Sequence, residues 1–242
     1  MIPAAGADLP HTIAAVKPSV VGVGTFLKTR SPAVRFTGTG FVVGDGLSVI
    51  TNAHVVRPEL DSEKLETLGI VIANGDNFEF RPAQLAGTDR EHDLAHLLIG
   101  GKPLPALQLG EDAEMAEGRE LAFTGFPLGM VLGLRHASNR ALLSAITPIV
   151  LPSLTSNKLG AGAIMALQRD RFLIYQLDAT AYPGNSGSPV YDPQTGVVYG
   201  VINMVFVKGL KESAITNTSG ITYAVPASYA RELMQRKGPG RK

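Results

Sequence analysis

The chain has 242 residues, 45% hydrophobic and 18% charged, and a net charge of +1. That length buries a substantial core as one large domain or two small ones, and the near-neutral charge leaves no electrostatic footprint for nucleic acid or an acidic membrane. With no cysteine in the chain, disulfides, thiol nucleophiles and Cys-ligated metals are excluded.

The 27 Gly and 16 Pro fall largely between short apolar runs, which predicts many turns and an all-β fold. Residues 9–16 predict a short helix, capped by Asp8 and stopped by Pro18. Strand patterns follow at 20–27, 36–43 and 47–52. The turn Gly44-Asp45-Gly46 joins the last two as a hairpin and delivers Ala53-His54-Val55-Val56 at its far end. Residues 57–68 are Glu-rich and read as an exposed loop, while runs at 70–73, 78–86 and 94–99 supply enough strands to close a barrel. A Gly/Pro and acidic stretch, 100–114, predicts a crossover into a second half with strand patterns at 120–129, 141–150, 172–177, 197–206 and 221–226. Residues 227–236 predict a helix, 238–242 a frayed tail, and the Gly/Ala/Ser-rich segment 153–166 predicts no defined element.

No run approaches the ~18 apolar residues of a membrane-spanning helix. The first eight residues lack a basic region followed by an apolar stretch. A periplasmic or secreted location is therefore expected only if this start is a trimmed one, and the absence of cysteine fits periplasm, cytosol or an extracellular site equally.

Chemistry enters at residues 178–190, which contain Pro183-Gly184-Asn185-Ser186-Gly187-Ser188-Pro189. Glycines on both sides of Ser186 allow a tight fold that presents the hydroxyl outward and lets the Gly184 and Ser186 N–H groups converge, so that one loop supplies a nucleophile and an oxyanion hole. A Gly/Asn/Ser/Pro turn between two strands has the same composition, so the loop needs partners before it means chemistry. All five histidines, His11, His54, His92, His96 and His136, precede Ser186. That order excludes the α/β-hydrolase arrangement, and Pro189 with a strand-like run stands where that fold needs a helix. The remaining order is His, Asp, Ser: His54 at the hairpin end among small neighbours, and Asp93 entering an apolar strand, where a carboxylate needs a buried donor.

The segments Pro18-Ser19-Val20-Val21, Gly38-Thr39-Gly40-Phe41-Val42-Val43, Thr51-Asn52-Ala53-His54-Val55-Val56, Asp89 with Asp93-Leu94-Ala95, Asp178-Ala179, Pro183-Gly184-Asn185-Ser186-Gly187 and Tyr223-Ala224-Val225-Pro226 together resemble a trypsin-like (chymotrypsin-fold) serine protease of the HtrA/Deg type. The resemblance implies two six-stranded antiparallel β-barrels with short N- and C-terminal helices. The expected divisions are a helical segment 1–17, a first barrel 18–115, a second barrel 116–226, and a helix and tail 227–242. It implies His54 as base, Asp93 as the acid that fixes its tautomer, Ser186 as nucleophile, and Gly184 and Ser186 N–H as oxyanion hole, acting without cofactor or metal on unfolded or damaged polypeptides. Ser188 stands where that family has a second glycine, and His96 where an aliphatic residue is usual. The chain ends soon after its final helix, which predicts a bare protease domain without PDZ. Relatives form trimers, so an oligomer is left open. A protease-fold scaffold with a resting site, and a dedicated maturation or host-directed protease, stay open as alternatives.

The pocket floor in such enzymes lies six residues before the nucleophile, here Thr180, which offers no carboxylate for Lys or Arg. Cleavage after small or medium apolar residues is expected, with walls from Thr180, Ala181 and Tyr182 and from Ile202, Asn203 and Met204. His92-Asp93-Leu94-Ala95-His96 mimics a zinc motif, but on a strand the two histidines stand ~13 Å apart. Gly38-Thr39-Gly40 lacks the rest of a dinucleotide fingerprint and reads as a strand that allows close backbone approach.

Overall fold

The computed structural model describes residues 8–56, 60, 65–75, 77–129, 133–150, 171–204 and 220–236. The segment 153–166, the tail 238–242 and most of the loop expected at 57–68 lie outside these residues.

The chain opens with α1 (Leu9–Val16), where the Asp8 carboxylate accepts the His11 N–H at 3.2 Å as the expected cap. The first barrel closes from β1 (Val20–Phe26), β2 (Val34–Val43), β3 (Ser48–Asn52), β4 (Thr67–Asn74), β5 (Asn77–Asp89) and β6 (Leu94–Ile99), in the order β1-β2-β3-β6-β5-β4. The second closes from β7 (Glu120–Gly125), β8 (Ala137–Val150), β9 (Arg171–Asp178), β10 (Pro189–Tyr191), β11 (Val198–Asn203) and β12 (Ile221–Pro226), in the order β10-β11-β12-β9-β8-β7. Every strand pairing is antiparallel. Two six-stranded barrels are therefore present, as expected. The three-residue β10 is the strand that sequence reading leaves inside the Ser186 loop, because its short run carries too little periodicity to stand out.

Side-chain alternation explains how each strand serves two cores. On β6, Ala95, Leu97 and Ile99 point into the first barrel with Val21, Val23, Val42, Val49 and Ile70. Leu94 points the other way, into a shared cluster with Phe41, Ile50, Phe126, Tyr191 and Val201 from both barrels. That seam also takes Ala230 and Leu233 of α2 (Ala227–Gln235). Each fully buried aliphatic side chain contributes about 1.5–3 kcal/mol relative to exposure. A substantial part of the burial therefore lies between the barrels, which holds one against the other where the predicted site residues meet.

Candidate active site

His54 lies in a single 3-10 turn, Ala53–Val55, directly after β3. Asp93 stands just before β6, and β3 pairs with β6 from Asn52↔Leu94 onward, so neighbouring strand ends bring the two together. The His54 Nδ1 and Asp93 Oδ2 atoms are 2.5 Å apart, and the His54 backbone N–H donates to Asp93 Oδ1 at 2.9 Å. Asp93 has a left-handed backbone with φ of 53°, costly for a residue with a Cβ. Its surroundings hold it there: the Asp93 carbonyl accepts from Ala53 N–H at 3.0 Å and from Asn52 Nδ2 at 3.1 Å.

The turn before Asp93 is pinned separately. Asp89 accepts the His92 backbone N–H at 3.1 Å and lies 2.9 Å from His92 Nδ1. The His92 ring stacks on Tyr229 of α2, with centroids 3.8 Å apart, and Arg236 pairs with Asp89 at 3.0 Å. Burial alone would raise the Asp89 pKa, but the hydrogen bonds from His92 and the charges of His92 and Arg236 hold it below its ordinary value. His92 is thus engaged with Asp89 and α2, while His96 sits on β6 between Ile50 and Gly87.

The second barrel reaches across to the same carboxylate. Asn203, at the end of β11, donates from Nδ2 to Asp93 Oδ2 at 2.8 Å and has no exposed surface. Asn203, expected on the pocket wall, turns its amide to the Asp93 carboxylate. The signal was available, since Asn203 is the polar residue in an otherwise apolar run and a buried amide needs a partner. Ile202 is likewise fully buried, packed in the second-barrel core with Phe123 and Ala224. Of the expected wall residues, Thr180, Ala181, Tyr182 and Met204 keep exposed surface. Thr222 braces that wall, accepting the Ala181 N–H at 3.0 Å and donating to the Ala179 carbonyl at 2.7 Å.

Ser186 sits in the loop between β9 and β10 and is 6% exposed. Gly184 and Gly187 have φ of 101° and 88°, conformations that favour glycine. A Cβ on Gly187 would also fall 2.0 Å from the Thr39 carbonyl oxygen. The Leu128 N–H holds the Pro183 carbonyl at 2.7 Å, Thr39 N–H holds the Ser186 carbonyl at 2.9 Å, and Gly187 N–H donates to Ile202 at 2.9 Å. Among the described residues, the Gly184 and Ser186 N–H groups donate to no protein acceptor. The Ser186 hydroxyl makes no hydrogen bond to a described residue, His54 included. Such bonds commonly tighten only when substrate binds.

A family model described as a trypsin-like peptidase domain matches residues 38–201, more than half of the chain. The chain belongs to the trypsin-like peptidase family. Among curated relatives, this peptidase domain is 27% identical over 82% of its length to a probable periplasmic serine endoprotease DegP-like from Halomonas elongata, covering 34% of that protein. It is 30% identical over 87% of its length to the mitochondrial serine protease HTRA2 of Drosophila willistoni, covering 41% of it. The peptidase domain thus spans about a third to two fifths of these relatives. Its fold matches the HtrA-type protease AlgW bound to a decapeptide with a TM-score of 0.66, at 23% identity, over 95% of this chain and 67% of that one. The active form of the Rv3671c protease from M. tuberculosis matches with a TM-score of 0.65 at 22% identity, over 95% and 85%.

Proposed function

We propose that this protein is a serine endopeptidase using His54, Asp93 and Ser186. The observation that carries the reading is the His54–Asp93 pair, bonded at 2.5 Å and capped from the second barrel by Asn203. It shares the seam between the barrels with a tightly turned serine loop whose Gly184 and Ser186 amides have no acceptor among the described residues. Asp93 accepts the Nδ1 proton, so Nε2 is left as the base. Nε2 takes the Ser186 hydroxyl proton while Oγ attacks the scissile carbonyl carbon, and the oxyanion forms against Gly184 and Ser186 N–H. Imidazolium then protonates the leaving amine, leaving an acyl-enzyme that a water molecule hydrolyses by the same steps in reverse.

Two features support a working oxyanion loop. The Pro183 carbonyl is committed to Leu128, and in a trans peptide the Gly184 N–H points the opposite way, away from Leu128. Both loop amides have no acceptor among the described residues.

The substrate reading is polypeptide cleaved after small or medium apolar residues, from unfolded or damaged proteins. Thr180 and Ala181 give the wall no carboxylate, and its solvent-accessible members Thr180, Ala181, Tyr182 and Met204 are all uncharged. Residues 18–115 and 116–226 act as the two halves of one protease unit, with 1–17 and 227–242 as flanking elements. A periplasmic or secreted setting is supported by the DegP-like relatives, which are described as periplasmic. No described helix is long and apolar enough to cross a membrane.

Fluorophosphonate labelling tests the reaction: the wild type labels and hydrolyses a denatured protein, and Ser186→Ala does neither. Absence of Ser186-dependent label under every condition favours the scaffold alternative. A peptide library cut mainly after Lys or Arg would sink the pocket reading.

A further inference from the structure

Thr39, on β2 of the first barrel, has no exposed surface, yet every polar atom it owns is committed. Its backbone N–H donates to the Ser186 carbonyl at 2.9 Å, and its carbonyl accepts from Thr51 Oγ1 at 2.6 Å. Its hydroxyl donates to the Gly184 carbonyl at 2.7 Å and accepts the Phe126 N–H at 3.1 Å. One strand residue therefore grips the serine loop at two carbonyls, one on each side of Asn185. It also grips the start of the 126–129 turn, whose Leu128 N–H holds the Pro183 carbonyl.

The consequence concerns Gly184. Its φ of 101° lies where glycine moves with little steric resistance, so glycine itself does not decide which way the two peptide planes around it face. Pro183–Gly184 is held by Leu128, and Gly184–Asn185 by the Thr39 hydroxyl on its carbonyl together with the Asn185 N–H, which donates to the Tyr182 carbonyl at 2.9 Å. A neighbouring ring adds support, since Phe36 lies 3.2 Å from the position a Gly184 Cβ would occupy and 2.3 Å from that of Gly129.

Resting on the serine endopeptidase reading above, we propose that Thr39 is a positioning residue: its hydroxyl locks the Gly184 carbonyl, and through Phe126 the 126–129 turn, so that the Gly184 N–H faces the developing oxyanion. The first barrel thereby governs the oxyanion hole as well as the base. Thr39 touches no reacting atom, and its effect falls on the transition state more than on ground-state binding.

Two substitutions separate the hydroxyl from the side-chain volume. Thr39→Val keeps the shape and removes the hydroxyl; Thr39→Ser keeps the hydroxyl. The expected result for Thr39→Val is a fall in kcat of about 10–100-fold, below the ~10²–10³ of a donor lost outright, because Leu128 still holds one plane. KM stays within about twofold of wild type, and the Ser186 fluorophosphonate labelling rate falls in step with kcat. Thr39→Ser restores all three. Wild-type kcat in Thr39→Val, or a Thr39→Ser as slow as Thr39→Val, overturns the proposal. Hydrogen exchange over residues 183–187 gives a readout that needs no turnover. Thr39→Val should exchange faster there and Thr39→Ser should match wild type, and unchanged exchange in Thr39→Val also overturns the proposal. If wild type fails to label while exchange responds as expected, the endopeptidase reading falls and the loop lock stands.

Discussion

The two barrels share a topology but hold themselves, and their share of the site, by different means. The first-barrel core is made of aliphatic side chains such as Val21, Val42, Val49, Ile70 and Leu97. The second-barrel core takes in Phe123, Tyr175, Tyr199 and Met115. Beside it runs a buried hydroxyl chain, with Thr124 Oγ1 2.7 Å from the Tyr191 hydroxyl and 2.8 Å from Ser138 Oγ. The site divides in the same way. The proposed base and acid, His54 and Asp93, stand on adjoining strand ends of the first barrel and bond to each other directly, whereas the proposed nucleophile, Ser186, sits on a second-barrel loop whose carbonyls accept from Thr39 and Leu128. On that reading the aliphatic barrel carries the base and acid, and the barrel with the buried hydroxyl chain carries a serine loop bonded from the other barrel.

The sharpest way to break this division is Asp93→Asn. It leaves the strand ends in place but exchanges a carboxylate for an amide against His54 Nδ1, where the wrong tautomer is then favoured; kcat falls by about 10⁴-fold, measured at saturating peptide. A loss below tenfold would mean that the pair is structural. Asn203→Leu tests the link in the other direction. It removes the second-barrel donor to Asp93 while keeping volume, and the expected effect is about a tenfold fall in kcat, the scale of one hydrogen bond to a charged group. Unchanged kcat would show that the first barrel orients Asp93 unaided.

The same contrast sets what sequence could reveal. The first barrel was legible nearly strand by strand, because alternating β-branched residues and a Gly-Asp-Gly turn leave a strong period-two pattern. In the second, β10 is three residues long and hides inside the serine loop. Asn203 looked like pocket wall because the strand run around it is apolar and nothing in the run names a partner 110 residues earlier. Thr39 was read inside a Gly-Thr-Gly stretch that permits close backbone approach. The approach is there, with Gly187 against the Thr39 carbonyl, but the hydroxyl's two bonds depend on residues 87 and 145 positions away. Local pattern reports which residues lie on a strand; it does not report which loop the strand will meet.

Paired substitutions sharpen the difference between the cores. Tyr191→Phe removes one member of a bonded hydroxyl chain and should cost about 1 kcal/mol, read from urea unfolding. Val49→Thr introduces a hydroxyl into the first-barrel core, where aliphatic neighbours offer no partner, and should cost about 2–3 kcal/mol. Equal costs would mean that the first core admits polar groups as readily as the second.

The smallest expected effect concerns His96, half-buried on β6 with its side chain facing away from the first-barrel core, where the HtrA/Deg pattern is usually aliphatic. Its Nε2 is buried and has no partner among the described residues, and burial pulls its pKa below the ordinary histidine value, with Asp45 opposing. His136, against Phe126 and 2.9 Å from the Val20 carbonyl, is lowered by burial as well, with that bond opposing and Lys17 adding to the shift. Both rings therefore bind a proton more readily in the unfolded chain. Between the depressed folded values and an unfolded value near ~6.5 the unfolded state holds more protons, so stability declines as pH falls below about 6.5. His96→Leu should raise the urea midpoint at pH 7, by about 1 kcal/mol in stability for removing an unpaired buried nitrogen. It should also flatten the decline between pH 7 and pH 5, leaving the part due to His136. A variant with an unchanged slope would show that His96 finds water for its proton.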